Sequence, residues 1–395
     1  MEADVIVLKL ARLFGVVPFL LAGVTAAGAQ IAVSMVDGKQ KMVDGINTVT
    51  GNSGADGVTL FDFGTLPPKR VADLPMPTSL VGPPMGAAVS PDETLAVVTA
   101  AQKIDPQDAR KTVPDNRVTV IDLKASPPKV IETVEAGQGA SGVSFSPDGR
   151  MVVVANRNEG SLSVFAVTGG KLSKTDTVKL GGPASGPSHA AFTPDGRRLV
   201  VTRDGDSFVS MFDVKDGKLA PGGPDITAGI RPYGLAISPS GTFAVVANIG
   251  RGTGDFDTIS VVDLTLKPAR TVAFHTVASQ PEALAVSLDG RWVAVASNNG
   301  SSRKSDSPLF NAHGSLVLFA VQGNTLVKKG EYPIGRWVQG IAFSPDSAVL
   351  AVQNTLESEL QLFRVTADGL ADSGMKLPIG LSAAGLRTRD FPKPK

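Results

Sequence analysis

Cysteine is absent from all 395 residues, which removes disulfide staples, thiolate nucleophiles and Cys-x-x-Cys-His haem attachment together. Histidine numbers only three, and aromatics make up 5% of the chain. No spacing of His, Asp or Glu marks a metal site; Asp204-Gly205-Asp206-Ser207 lacks the later ligands of a calcium loop and reads as a hairpin turn. An excess of charge is missing too: 38 Lys plus Arg stand against 37 Asp plus Glu, a net charge of +1. Without a basic stripe interleaved with aromatics, the composition argues against a nucleic-acid partner. There is no Gly-x-Ser-x-Gly elbow and no phosphate loop, so no intrinsic cofactor is expected.

Apolar runs of any length are confined to the N-terminus. Lys9 and Arg12 precede an apolar stretch from Leu13 to Thr25, followed by Ala27-Gly28-Ala29. That is the layout of a secretory signal with cleavage after Ala29, and the run is shorter than the ~20 residues of a membrane span. No twin-arginine pair precedes it. The expected domains are therefore a signal at 1-29, one folded unit at 30-390 and a polar tail at 391-395. The expected location is periplasmic or secreted, with no stable membrane insertion after cleavage.

What the chain has in abundance is a hairpin signature. It recurs as SPDETLAVV from Ser90, SPDGRMVVV from Ser146, TPDGRRLVV from Thr193, SPSGTFAVV from Ser238, SLDGRWVAV from Ser287 and SPDSAVLAV from Ser344. The copies lie 56, 47, 45, 49 and 57 residues apart, the period of a four-stranded propeller blade. Pro in five copies presets φ, and Gly in four supplies the turn between two apolar runs. A third strand follows, such as VSMFDV at Val209, and then a weaker fourth.

Six anchors leave partial blades at both ends. Ile31 to Met35, Val58 to Phe63 and Arg70 to Leu74 read as second, third and fourth strands lacking a first, which Leu381 to Thr388 supplies. The sequence thus predicts an all-β fold: a seven-bladed β-propeller of four-stranded antiparallel blades, closed by N-terminal strands pairing with a C-terminal strand.

Loop lengths single out one face. First-to-second and third-to-fourth turns are short, whereas second-to-third loops swell at Gln102 to Asn116, Ile249 to Thr258 and Asn298 to Gly314. Those loops share a face with the fourth-to-first connections, and long loops on one face mark a binding surface. Residues entering the innermost strands there form the candidate ligand-binding set: Ser141, His189, Arg231, Tyr233, Glu282, Arg336, Trp337 and Gln339. A base, a carboxylate, guanidinium groups and aromatics suit a small anionic or sugar-like molecule.

The repeats GPSHAAFTPDGRRLVV from Gly186, RPYGLAISPSGTFAVVANIG from Arg231 and VTADGLADSGMKLPIG from Val365 resemble the lactonase-type seven-bladed propellers, a group that includes YVTN-repeat surface proteins. The resemblance covers essentially everything after the signal. It implies lactone hydrolysis or a related lactone-forming reaction by His, Arg and Glu side chains in catalytic members. His189 sits in Gly-Pro-Ser-His, similar to the Gly-Pro-Arg-His of such members, with Ser188 where the Arg would stand. Arg231 and Glu282 occupy equivalent entries in the next two blades, suited to polarise a carbonyl and activate water.

Three functions are compatible with this. The leading expectation is an exported propeller that binds a small molecule, a glycan or a protein partner on the long-loop face. The alternative is a lactonase-type hydrolase or isomerase using His189, Arg231 and Glu282. A third is an accessory subunit of a periplasmic electron-transfer or dehydrogenase complex. Catalysis requires these groups to converge on one substrate.

Overall fold

The signature turns are built from side chain as much as backbone. In the copy at Ser146 the hydroxyl donates to Asp148 (2.6 Å) and accepts the Met151 N–H (3.0 Å), while Asp148 accepts the Arg150 N–H (3.1 Å). Thr193 with Asp195, Ser287 with Asp289 and Ser344 with Asp346 repeat the hydroxyl-to-carboxylate bond. Gly149 takes the left-handed φ of 69° that closes the turn. Each of the six turns joins an innermost strand to an antiparallel second strand, and a seventh unit pairs the same two strands from opposite ends of the chain.

The computed structural model describes residues 30–51 and 56–393, so the expected signal lies outside the described residues. Innermost strands run at Ala87–Val89, Ala140–Phe145, Pro187–Phe192, Pro232–Ile237, Pro281–Val286, Val338–Phe343 and Ala383–Arg387. The last of these pairs with Ile31–Val36, which continues to Gly57–Asp62 and Lys69–Pro75. With this blade counted first, the others follow in chain order as blades two to seven. Among the described residues the one helical element is a single 3-10 turn at Pro183–Ser185.

Burial explains why strands so short hold together. Seven apolar clusters form, one for each blade-to-blade interface; Leu235, Val246 and Val262 of blade five, for example, pack on Val200, Val209 and Ile226 of blade four. A second repeated device ties the end of the second strand to the third, and in blade three also to the fourth-to-first connection. Asn156 ends a second strand, accepts the Gly137 N–H (3.0 Å) and donates to Ser161 and Ser163 at 2.8 and 3.0 Å. Asn248 and Asn354 occupy the same place in blades five and seven, donating to Thr258 and Ser260 and to Glu359 and Gln361.

Two features depart from the sequence reading. The stretch from Gln102 is not an open loop but a hairpin, Gln102–Asp105 with Asp108–Pro114, and a second hairpin, Gln40–Val43 with Ile46–Val49, projects from blade one on the same face. The polar tail expected from 391 also begins too early. Phe391 is buried in the cluster between blades three and four, because an aromatic ring beside an interface gains more from burial than from water.

Candidate functional site

Three register positions recur where each blade enters its innermost strand, and they explain which candidates meet. The residue just before the strand is left-handed in six blades: Gly139, Gly186, Arg231, Gln280, Trp337 and Ser382 all have positive φ. At the non-glycines this turns the side chain away from the strand, at a local cost of about 1 kcal/mol or more. The second strand residue is Ser141, Ser188, Tyr233, Glu282, Gln339 and Ala384 in successive blades, and side chains of adjacent blades meet there. The third is Gly142, Gly234, Ala283, Gly340 and Gly385 in five blades, but His189 in blade four.

Glu282 holds the second register position in blade six. Its Oε1 accepts an N–H from Asn298 (2.8 Å) and its Oε2 one from Gln339 of the next blade (2.6 Å). Burial pushes its pKa up to about 7, with the Gln339 hydrogen bond, the Arg231 charge and the Asn298 hydrogen bond pulling the other way. Tyr233 lies within electrostatic reach of Glu282, Asp204, Arg157 and Arg231, and burial raises its hydroxyl pKa. The Arg157 guanidinium stands over the Tyr233 ring at 5.5 Å.

Beside this carboxylate is a charge cluster. The buried Asp204 accepts from Arg157 Nη2 at 2.6 Å and from Arg231 Nη2 at 3.1 Å through the same Oδ2. Ser188 donates to Asp204 Oδ1 (3.2 Å) and accepts from Arg157 Nη1 (2.7 Å). Arg231 remains 42% exposed. Arg157, Asn158, Gly186, Asp204, Gly205 and Arg231 line an open cavity of about 330 Å³.

The other candidates stand apart. His189 is wholly buried, its Nε2 3.4 Å from the Ser144 hydroxyl, and burial and then Arg387 hold its pKa well below the usual value. The cause is its register position. A Cβ on Gly142 would lie 2.5 Å from the Ser188 carbonyl oxygen and 2.7 Å from His189 Cδ2, so this position faces the neighbouring blade rather than the mouth. Trp337, 6% exposed, packs in the apolar cluster with Leu80, Met42 and Leu356 instead of presenting an aromatic face to solvent. Arg336 is taken up by Glu357, at 2.7 Å from its Nε. Ser141 is buried directly beneath Gly82, where an added Cβ would overlap its Oγ.

The structure therefore brings together Arg231, Tyr233, Glu282 and Gln339, and adds Arg157, Asp204 and Asn298, which the sequence reading did not select. These three all follow the last residue of a second strand, one register position whose side chains meet the innermost strands. Hairpin Gln40–Val49 borders the mouth: a Cβ on Gly45 would lie 2.8 Å from the Lys304 backbone N of blade six. No cluster of three or more His, Asp or Glu residues suited to a metal occurs among the described residues.

Comparison with known proteins agrees with the fold. The family model described as lactonase, seven-bladed β-propeller, matches residues 115–230. No curated protein sequence matches the chain. A periplasmic gluconolactonase from Pseudomonas aeruginosa superposes with a TM-score of 0.63 at 20% identity, covering 92% of this chain and 100% of its own. A suspected 6-phosphogluconolactonase from Bacteroides fragilis gives 0.67 at 16% identity, covering 91% and 98%. A functionally unknown protein from Desulfotomaculum acetoxidans gives 0.66 at 16% identity, covering 92% and 100%. The resemblance to lactonase-type seven-bladed propellers is thus found in both sequence and structure.

Proposed function

We propose that this propeller is a lactone hydrolase whose general base is Glu282. The observation that carries the reading is the Glu282 carboxylate, gripped by one amide donor on each oxygen and set in a mouth that also holds Arg231 and Tyr233. A base with a pKa of about 7 combines ionised population with proton affinity near neutral pH. Each oxygen keeps a lone pair for a water molecule.

In this mechanism Glu282 takes a proton as the water oxygen bonds to the lactone carbonyl carbon. The free donors of Arg231 bond to the carbonyl oxygen as it becomes an oxyanion. Collapse breaks the ring C–O bond, and the departing alkoxide receives the proton from Glu282, leaving a hydroxy acid. Tyr233 forms a wall of the mouth, and Gln339 and Asn298 hold the base in place. His189 takes no part and serves as packing between blades. The lactonase family match and the two neighbours described as gluconolactonase and suspected 6-phosphogluconolactonase support this chemistry. The signal-like N-terminus and the periplasmic neighbour support an exported enzyme.

Turnover of a lactone panel by the purified chain, beside Glu282→Gln, tests the proposal. Hydrolysis lost in the variant is expected; hydrolysis at undiminished rate in the variant defeats the assignment. A partner-binding role for the same face rests on its exposed apolar side chains, Ile46 (68%), Ile230 (50%), Phe256 (76%) and Leu381 (73%). Its mark is a protein or glycan that binds the wild-type chain but not a Phe256→Ser, Leu381→Ser variant.

A further inference from the structure

The charge at the mouth is balanced inside the site itself. Arg157 and Arg231 are two cations; Asp204 and ionised Glu282 are two anions. Asp204 binds both guanidinium groups through one oxygen while its other oxygen takes the Ser188 hydroxyl. Arg157 has both η nitrogens engaged, on Asp204 and Ser188. Arg157 therefore has no η nitrogen left for a phosphate or carboxylate on the substrate, and the charge of the half-exposed Arg231 is already offset by the buried Asp204, so an anionic group meets no net positive charge there. It would also lie near Glu282.

A second observation concerns hydrogen-bond polarity. Asn298 and Gln339 turn their NH₂ groups to Glu282, which leaves Asn298 Oδ1 and Gln339 Oε1 buried without a protein partner. Buried acceptors call for donors. An anionic group has none, whereas each hydroxyl of a sugar-like ring brings one.

We propose that the site selects an uncharged, hydroxyl-rich lactone, and that Asp204 sets this preference by offsetting the charge of the two guanidinium groups that would otherwise attract an anionic substituent. The proposal rests on the hydrolase reading and deepens it by naming the substrate class. It also accounts for product departure, since hydrolysis creates a carboxylate that this balanced mouth does not retain.

The test separates binding from turnover. Glucono-1,5-lactone and its 6-phosphate are compared as substrates, and gluconolactam and inorganic phosphate are titrated calorimetrically as a neutral ligand that cannot be hydrolysed and a bare anion. The wild-type chain is expected to favour the neutral lactone by at least tenfold in kcat/KM, to bind the lactam, and to be indifferent to phosphate. Asp204→Asn keeps the shape but frees the guanidinium charge, and is expected to shift the preference at least tenfold toward the phosphorylated lactone and to gain phosphate binding. A wild-type preference for the 6-phosphate, or phosphate binding that displaces the lactam, overturns the proposal, and this arm needs no variant to fold. An Asp204→Asn chain that folds, as shown by its circular dichroism, yet keeps the wild-type preference overturns the role of Asp204. Lactam binding without turnover of any lactone removes the hydrolase reading and upholds the selectivity; no lactam binding removes the selectivity whatever the turnover.

Discussion

At the scale of single residues, Glu282 ties activity to stability through one pKa. With the carboxyl at about 7 in the fold, kcat/KM is expected to rise with pH and level off above 7. Gln339→Leu removes a hydrogen bond that lowers this pKa, so the inflection moves to higher pH; a profile that stays in place argues against Glu282 as the base. Glu282→Gln is expected to lower kcat by about 10²–10⁴-fold. The stability consequence has the opposite sign. Between the ordinary 4.5 of a glutamate and 7, the folded carboxyl binds a proton that the unfolded chain releases, so stability falls as pH rises through this window, by at most roughly 3 kcal/mol above pH 7. Thermal melts of Glu282→Gln and wild type should therefore agree near pH 4 and separate at pH 8.5, the variant melting higher; equal separation at both pH values contradicts the assignment. His189 provides the contrast. Its ring fills a position that is glycine or alanine in the other copies, so His189→Ala should lower the melting temperature yet keep kcat within about threefold, and loss of activity in a folded variant would return it to the catalytic set.

The individual strand and its turn were the most legible level of this chain. The signature specifies its own turn through a short-range bond between its first hydroxyl and its third side chain in all six copies, so blade boundaries follow from local chemistry. The site was legible in part. Aligning GVSF from Gly142, HAAF from His189, GLAI from Gly234 and GIAF from Gly340 places His189 at a position of close blade contact, and the residue before it at the mouth. That signal was present and separates Glu282, Tyr233 and Gln339 from His189. The sharing of Asp204 between arginines of two blades was not legible, because it depends on how adjacent blades abut. Trp337 looked like a ligand platform for a similar reason: only the packing shows it sharing an apolar cluster with Leu80 and Met42. The repeated second-strand asparagine is a prediction at this scale. Asn248→Ala removes the donors to Thr258 and Ser260 in a buried setting and should cost about 1–3 kcal/mol, read by chemical denaturation. A cost within about 0.5 kcal/mol would show that these side-chain bonds add little to the backbone pairing of the second and third strands.

For the molecule as a whole, the two ends of the channel differ because the C-terminal segment crosses one of them. Past the last innermost strand, Thr388 donates to the Phe343 carbonyl of blade seven (2.9 Å), Arg389 and Lys393 reach Glu93 of blade two at 3.3 and 2.6 Å, and Phe391 enters the interface of blades three and four. Beneath it remains a space of about 60 Å³ lined by His189, Phe343, Arg387 and Phe391 among others, enough for a few waters and too small for a sugar ring. Under the proposed hydrolase reading substrate enters from the long-loop face, and the described part of the segment acts as a stopper and a strap at once. These two roles separate under truncation. A chain ending at Arg387 keeps all four strands of blade one but loses the strap; it should melt lower, with a cost of about 3 kcal/mol for Phe391 alone, while kcat/KM on a neutral lactone stays unchanged because Glu282 and Arg231 lie at the other end. A chain ending at Leu381 also loses Ala383–Arg387, which pairs with Ile31–Val36. That exposes a buried strand edge along the inner wall of the ring, and cooperative unfolding by denaturant should give way to a broad transition with aggregation. If this shorter chain instead unfolded as sharply as the longer one, blade one would be stable on three strands, and closure of the ring would rest on the apolar interfaces between blades rather than on the pairing of the chain ends.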